Sequence, residues 1–431
     1  MLSWVCATSI HAGESDFGVG LSLTHNSNIK RVEANPQGEW TQALMGGLFY
    51  RENTIDVTAR VLAQVERRHF YHNSFSDDTA GYLDGAAVWT VLPRRFTWTV
   101  EDTFRQVLLN VASPDTPSNR AKANSLSTGP DFTFPLSSTD SAVIGGRYGR
   151  FDIENSTSDN RRYLAYVRGV HALSAQTKVS LNFEAARANF EPEAQVFPKI
   201  RREDRFGRYE NRSATNSTLI DLGTSRVTRY GGSDLEGRLA RLTLSEAFSS
   251  QSALRLGLTD QISDTYTDLI AGVTSSTAPR ETGVVVLTGA DVTSSDLYHS
   301  KRGDLAYLND DGRFGYTLQV YERRVDFETL NQDYQEQGWT FLWTWGYSGA
   351  MRFNATASYT KRTFTSVERE DQDRNFAAGV AYRLNRNVSI TMEGGRTERQ
   401  SSVDLNSFVD NRVMLLLGYS SGTSYEVRPR R

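Results

Sequence analysis

Apolar side chains recur at every second position along most of this chain, and that period constrains its fold more than any other feature. The clearest case is GWTFLWTWGYSG, residues 338–349. Trp339, Phe341, Trp343, Trp345 and Tyr347 share one parity, while Thr340, Leu342, Thr344 and Gly346 share the other. Successive side chains of a strand point to opposite faces, so the rings share one face. Residues 54–66 repeat the pattern with Ile55, Val57, Ala59, Val61, Ala63 and Val65 against Asp56, Thr58, Arg60, Gln64 and Glu66. So do 96–105, 178–185, 351–360, 387–393 and the final run Val413, Leu415, Leu417, Tyr419. Helical periodicity is nearly absent.

The connections alternate as well. Short polar turns at 51–54, 92–95, 137–140, 174–177, 249–252, 309–312, 347–350 and 385–387 are interleaved with longer charged or Gly/Ser/Pro-rich segments. These longer segments lie at 28–39, 67–78, 107–125, 189–203, 266–291, 326–336, 363–373 and 399–409. Antiparallel hairpins with tight turns at one end and large loops at the other give this rhythm in a transmembrane barrel, where the turns are periplasmic. A soluble sandwich alternates in the same way. Its strands, however, usually run ~5–6 residues, whereas these read as about 10–14, the span of a membrane strand. Closure also removes the exposed edges of so large a sheet. Rings gather near strand ends, at Tyr50, Phe70, Tyr71, Trp89, Phe96, Trp98, Tyr347 and Tyr359, as in interfacial girdles. The fold expected is all-β: a single antiparallel transmembrane β-barrel of about 18–22 strands. It occupies 15–420, between a partial signal peptide or disordered N-terminus (1–14) and a C-terminal extension (421–431).

Composition sets further bounds. Of 431 residues 38% are hydrophobic, yet 11% are aromatic, which argues against disorder. A net charge of −3 gives no case for nucleic acid. Only 6 of the 48 basic residues are lysine, leaving 42 arginines, whose planar forks suit carboxylates and phosphates. Cys6 alone excludes a disulfide framework. It sits in MLSWVCATSIHAG, where residues 2–10 read as the end of a signal-peptide apolar segment without its positive region.

About twenty strands would close into a barrel roughly 40 Å wide, too wide for its own side chains to fill. The inner face then carries the chemistry, and Arg60, Glu101, Arg105, Arg147, Glu184, Arg241, Arg255, Arg352, Arg383 and Glu393 are the candidate lumen-lining residues. Two readings stand: a pore wall that ranks solutes by charge, or cross-strand Arg–Glu pairs that merely satisfy the wall. The outer, lipid-facing set is Trp98, Trp339, Phe341, Trp343, Trp345, Tyr347, Phe353, Tyr359 and Tyr419.

Other constellations are weaker. His69 and His72 have metal-like spacing but no acidic neighbour in sequence, so they read as surface residues. No Gly-x-Ser-x-Gly elbow is present. KRGDL (301–305) reads as strand, NDDGR (309–313) as a hairpin turn before a calcium loop, and EREDQDR (368–374) as a solvated mixed-charge loop. No catalytic residue, metal or cofactor is expected.

Several segments resemble a family of bacterial outer-membrane β-barrel porins associated with exopolysaccharide and PEP-CTERM (exosortase) gene clusters. GVGLSLTHNSNIKR (18–31) is similar to its opening strand, and STGPDFTFPLSSTDSAVIGGRYGRFDIENSTSDNRRY (127–163) to its central hairpin. LSAQTKVSLNFEAARANFE (173–191), TLIDLGTSRV (218–227) and DLYHSKRGDLAYLNDDGRFGYTLQVYERRVDFET (296–329) continue the likeness. The residues beyond Tyr419 depart from the aromatic C-terminus usual in such barrels. The resemblance implies an outer-membrane component of polysaccharide secretion. Its partners would be outer-membrane lipid, lipopolysaccharide, the barrel-assembly machinery and periplasmic polysaccharide-export components. A pore is the leading expectation, an occluded barrel that organises surface polymer or a secreted protein the second, and a barrel enzyme the third.

Overall fold

The computed structural model describes residues 13–154, 159–191, 199–268 and 297–422. Twenty strands of 12 to 16 residues follow one another up and down. They are β1 Glu14–Asn26, β2 Glu39–Asn53, β3 Val57–Phe70, β4 Asp78–Leu92, β5 Phe96–Leu108, β6 Arg120–Pro135, β7 Asp140–Ile153, β8 Asn160–Ala172, β9 Thr177–Phe190 and β10 Lys199–Arg212. The second half comprises β11 Asn216–Arg229, β12 Leu235–Ala247, β13 Ser252–Ser263, β14 Tyr298–Asp310, β15 Phe314–Phe327, β16 Tyr334–Gly346, β17 Met351–Phe364, β18 Arg369–Arg383, β19 Val388–Ser401 and β20 Phe408–Ser420. Each pairs antiparallel with its neighbours in sequence, and β20 pairs with β1 from Gly18–Ser420 to Asn26–Arg412. The sheet is therefore a closed barrel with no free edge. Among the described residues no helix is long and apolar enough to cross a membrane.

Register carries one parity of each strand to one face. Val320, Trp339 and Tyr359 lie opposite one another across β15, β16 and β17, as do Phe314, Trp345 and Phe353. These are outer positions. Along β1 and β20, Phe17, Val19, Leu21, Leu23, Val413, Leu415, Leu417 and Tyr419 stand exposed on the same side. The outer run from Met351 to Tyr359 covers nine residues of β17. At ~3.3 Å per residue and ~40° tilt it makes a band roughly 20 Å tall. Trp345 stacks on Phe353 with centroids 5.5 Å apart, and Tyr347 meets both rings edge-on.

The strands run farther toward the loop end than the alternation indicates. β6 begins at Arg120 and β10 at Lys199, inside segments expected to be loops, and β18 takes in most of the EREDQDR cluster. The reason is visible on β10, where Arg201 and Arg205 project outward, highly exposed, beyond the apolar band. Hydrophobic alternation stops there, but the backbone ladder continues. The turn at 213–215 and the loop at 230–234 also lie outside the connections expected from the sequence. Gly312 of the NDDG turn sits at φ +82°, and the Asp311 carboxylate accepts from the Arg313 and Phe314 amides, so the segment is a hairpin turn. Residues 1–12 and 423–431, where the leader and much of the extension were expected, lie outside the described residues.

Candidate functional site

Among the described residues, apolar clusters fill much of the inner face at its loop end, and a smaller one of Met45, Met414 and Leu416 lies nearer the middle. A round barrel of twenty strands would be roughly 40 Å across. Val111 lies three residues past the end of β5, about 10 Å of extended chain. Its side chain nevertheless packs among Tyr298, Val325, Tyr334 and Phe364 of β14–β17, on the far wall. Tyr266, three residues past β13, packs on Phe151 of β7 and under the Arg162 guanidinium of β8. A Cβ at Gly149 would run into the Tyr266 hydroxyl, so a side chain there would have to displace that ring. Ile262 joins Ala188, Ile200, Val227 and Leu297 in a third cluster. Opposite walls are thus drawn together at the loop end, and the segments 109–119 and 264–268 lie between them.

Charged pairs fix both segments. Arg362 forks onto Glu336 (Nε–Oε2 2.8 Å) and reaches the Val111 carbonyl at 3.4 Å. Arg120 grips Asp115 at 2.6 and 2.8 Å, and Arg31 donates to the Asp115 carbonyl at 2.7 Å. Asp264 accepts from Arg162 at 2.8 Å. Burial alone would push the Asp115 carboxyl up. The fork from Arg120 and the charges of Arg31 and Arg399 outweigh it and hold the group below the ordinary carboxylate range. Asp264 behaves alike, with burial opposed by Arg162.

A group with a depressed folded pKa contributes stability above its unfolded value and loses it as pH falls through the folded one. Both anchors should therefore hold from neutral pH down to about pH 4, the unfolded aspartate value, and weaken progressively below it. Hydrogen exchange of amides 109–119 across pH 7 to 3 checks this; loosening that begins near pH 6 would assign the anchor to other groups.

The register puts all ten candidates of the inner set on this face, at different depths. Arg147 forks onto Asp131 (2.8 and 2.7 Å), which also accepts from Tyr166. Arg241 donates to Gln261 at 2.7 Å and lies 3.7 Å from Asp221, itself held by Arg208 at 2.6 and 2.8 Å. Glu393 pairs with Arg412 at 2.5 Å. Glu184 faces Tyr166 and Asp204 across its two ladders. Glu101 sits mid-strand on β5 between Ala86 and Ser127, and Arg105 lies nearer the loop end. Arg60, Arg255, Arg352 and Arg383 lie near the turn end, away from the filled region. The structure thus brings few of the ten into contact with one another. The residues that fix the inner segments, Arg31, Asp115, Arg162, Asp264, Glu336 and Arg362, were not singled out in sequence. The only local signal was parity: Arg362 continues the inner series that starts at Arg352.

Of the outer set, Trp98, Trp339, Phe341, Trp343, Trp345, Phe353, Tyr359 and Tyr419 take outward positions in the register, and Tyr347 follows β16 at the turn end. The histidines read differently in three dimensions. His69 contacts Asp77 at 2.9 Å and His72 contacts Glu39 at 3.2 Å, acidic partners that sequence spacing does not reveal. Among the described residues no three such side chains converge as a metal site.

A closed antiparallel barrel with an apolar outer band and a charged interior is the form of a bacterial outer-membrane barrel. A family model described as Putative beta-barrel porin 2 matches residues 349–419, the last four strands, and supports that class and an outer-membrane location. No curated protein matches the sequence. Similar solved structures include the FrpB iron transporter from Neisseria meningitidis (10% identity, 94% of this chain and 81% of that one, TM-score 0.46). Others are a ferric enterobactin receptor, PfeA, from Pseudomonas aeruginosa (10%, 95% and 82%, 0.45) and the copper transporter OprC (11%, 95% and 81%, 0.42). At this distance the likeness carries no argument about activity.

Proposed function

We propose that the barrel is an outer-membrane pore for polar solutes of the polysaccharide class, narrowed at its extracellular end by residues 109–119 and 264–268. The observation that supports it is the inner wall, a set of arginine–carboxylate pairs interspersed with hydroxyls, suited to hydrogen-bonding a hydrated polymer. Such a pore would receive its polymer from periplasmic export components. The experiment is reconstitution in planar bilayers of the wild type and of a variant with 110–118 replaced by a short Gly-Ser link. Small steps for the wild type and severalfold larger ones for the variant are expected. Silence from both, with folding verified, overturns the pore reading.

The filled loop end favours a second reading, an occluded barrel that organises surface polymer. A silent wild type beside a conducting variant would support it.

The outer face suggests a lipid partner. Beyond the apolar band Arg150 stands opposite Arg161, and Arg187 opposite Arg201. Carboxylates already answer three of these arginines, Asp152 beside Arg150, Glu191 beside Arg161 and Glu203 beside Arg201, and lipopolysaccharide phosphates would add to them at Arg187, whose described partner is the neutral Asn189. Arg187→Gln with Arg201→Gln should weaken co-purification of lipopolysaccharide; unchanged retention would remove this contact from the proposal.

A further inference from the structure

The turn end of the inner wall holds a hollow of about 260 Å³ that spans β6 to β10. That size approaches the small end of ligand sites, roughly 300 Å³. Three cations face it, Arg168 from β8, Lys178 from β9 and Arg208 from β10. Arg208 is neutralised by Asp221, to which it forks at 2.6 and 2.8 Å. Glu210, the hollow's carboxylate, is engaged by Arg212 at 3.0 Å. Arg168 bonds only a neutral acceptor among its described partners, Asn182 Oδ1 at 2.7 Å, and neither it nor Lys178 has a described carboxylate within ion-pairing distance. Glu210 stands across the ladder from Lys178 and Glu184 lies within electrostatic reach of Arg168, but neither carboxylate forms an ion pair with these two cations, which line a concave, partly sheltered place.

The rest of the lining completes the chemistry. Ser141, Ser180 and Thr133 add hydroxyls to the lining, and Val143 with Val170 adds apolar surface suited to the C–H face of a ring. Arg60, Arg255, Arg352 and Arg383 share this end, with Glu14 and Asp16 of β1, Glu210 of β10 and Asp310 of β14 among its acids on the inner parity. A mouth with an excess of one charge concentrates ions of the opposite sign.

We infer that this hollow is a subsite for a carboxylated sugar unit, so that the polymer admitted at the periplasmic end is an acidic, uronate-type polysaccharide. Arg168 and Lys178 take the carboxylate, the serine hydroxyls take ring hydroxyls, and the valines take the ring face. The inference deepens the pore reading and rests on it for the polymer's direction of entry, while binding itself is measured without conduction.

The test is calorimetric titration of the full-length barrel in detergent, at low ionic strength, with a triuronate, a neutral maltotriose and a sulfated trisaccharide. Folding of every variant is checked by heat-modifiable gel mobility. The triuronate should bind at least about tenfold more tightly than maltotriose, and Arg168→Gln with Lys178→Gln should lose about tenfold or more. Arg255→Gln, which removes a cation from the same end but outside the hollow, should retain affinity. Equal binding of the neutral sugar, an equal loss in Arg255→Gln, or no binding by folded protein overturns the subsite. Tighter binding of the sulfated sugar overturns its assignment to carboxylates. A barrel that binds the triuronate but never conducts leaves the subsite standing and removes the pore.

Discussion

Replacing Glu336 with alanine is expected to destabilise the barrel by about 3–5 kcal/mol, because it breaks the buried Glu336–Arg362 pair by removing one partner. The two side chains face each other across β16 and β17 at 7% and 10% exposure, with Nε to Oε2 at 2.8 Å. Arg362 also reaches the Val111 carbonyl, so losing the pair should loosen residues 109–119 before the wall itself fails. The paired change Glu336→Met with Arg362→Met removes both charges together and should recover most of the loss, since an apolar pair of similar size can replace a buried ion pair at little cost. Urea unfolding from lipid vesicles gives the energies, and amide exchange at 109–119 gives the order of events. A loss below about 1 kcal/mol for Glu336→Ala would place the pair in a wetter environment than its exposure indicates.

The second large effect belongs to the outer face. Trp343 projects outward from the middle of the β16 aromatic run, opposite Tyr316 and Ala355. Its ring lies edge-on to Phe314 and tilted against Trp345. Arginine there should cost ~2–4 kcal/mol at the bilayer midplane. Thr344→Arg moves the same charge one residue along the strand onto the inner face, and should cost far less. Folding of both variants into vesicles, followed by denaturant titration, measures the difference. Equal tolerance at the two positions would mean that Trp343 does not face lipid.

What the sequence reveals depends on distance along the chain. A two-residue period is local, so the shared face of Trp339–Trp345 could be read from a dozen residues, whereas the barrel class needed strand lengths and the alternation of turns and loops along the whole chain. Strand ends were harder, because Arg201 and Arg205 interrupt the hydrophobic signal while the ladder persists. The filled loop end was out of reach. Val111 meets Arg362 across 251 residues, and Asn26 meets Asp410 across 384. Neither segment carries a local mark of where it will land. The subsite is an intermediate case: Arg168, Lys178 and Arg208 share the inner parity of their strands, but only the register sets them side by side.

Residues 109–119 leave one stretch of wall, are held by Arg362 on a second and by Arg31, from the loop that follows β1, beside a third. In mechanical terms they are a strut that triangulates a hoop. A plain hoop of strands ovalises through small shears between neighbours, whereas a triangulated one deforms only if a joint is released. Changes in lateral pressure in the surrounding lipid should therefore be resisted until an ionic joint breaks, and the cross-section would then relax in one step rather than by degrees.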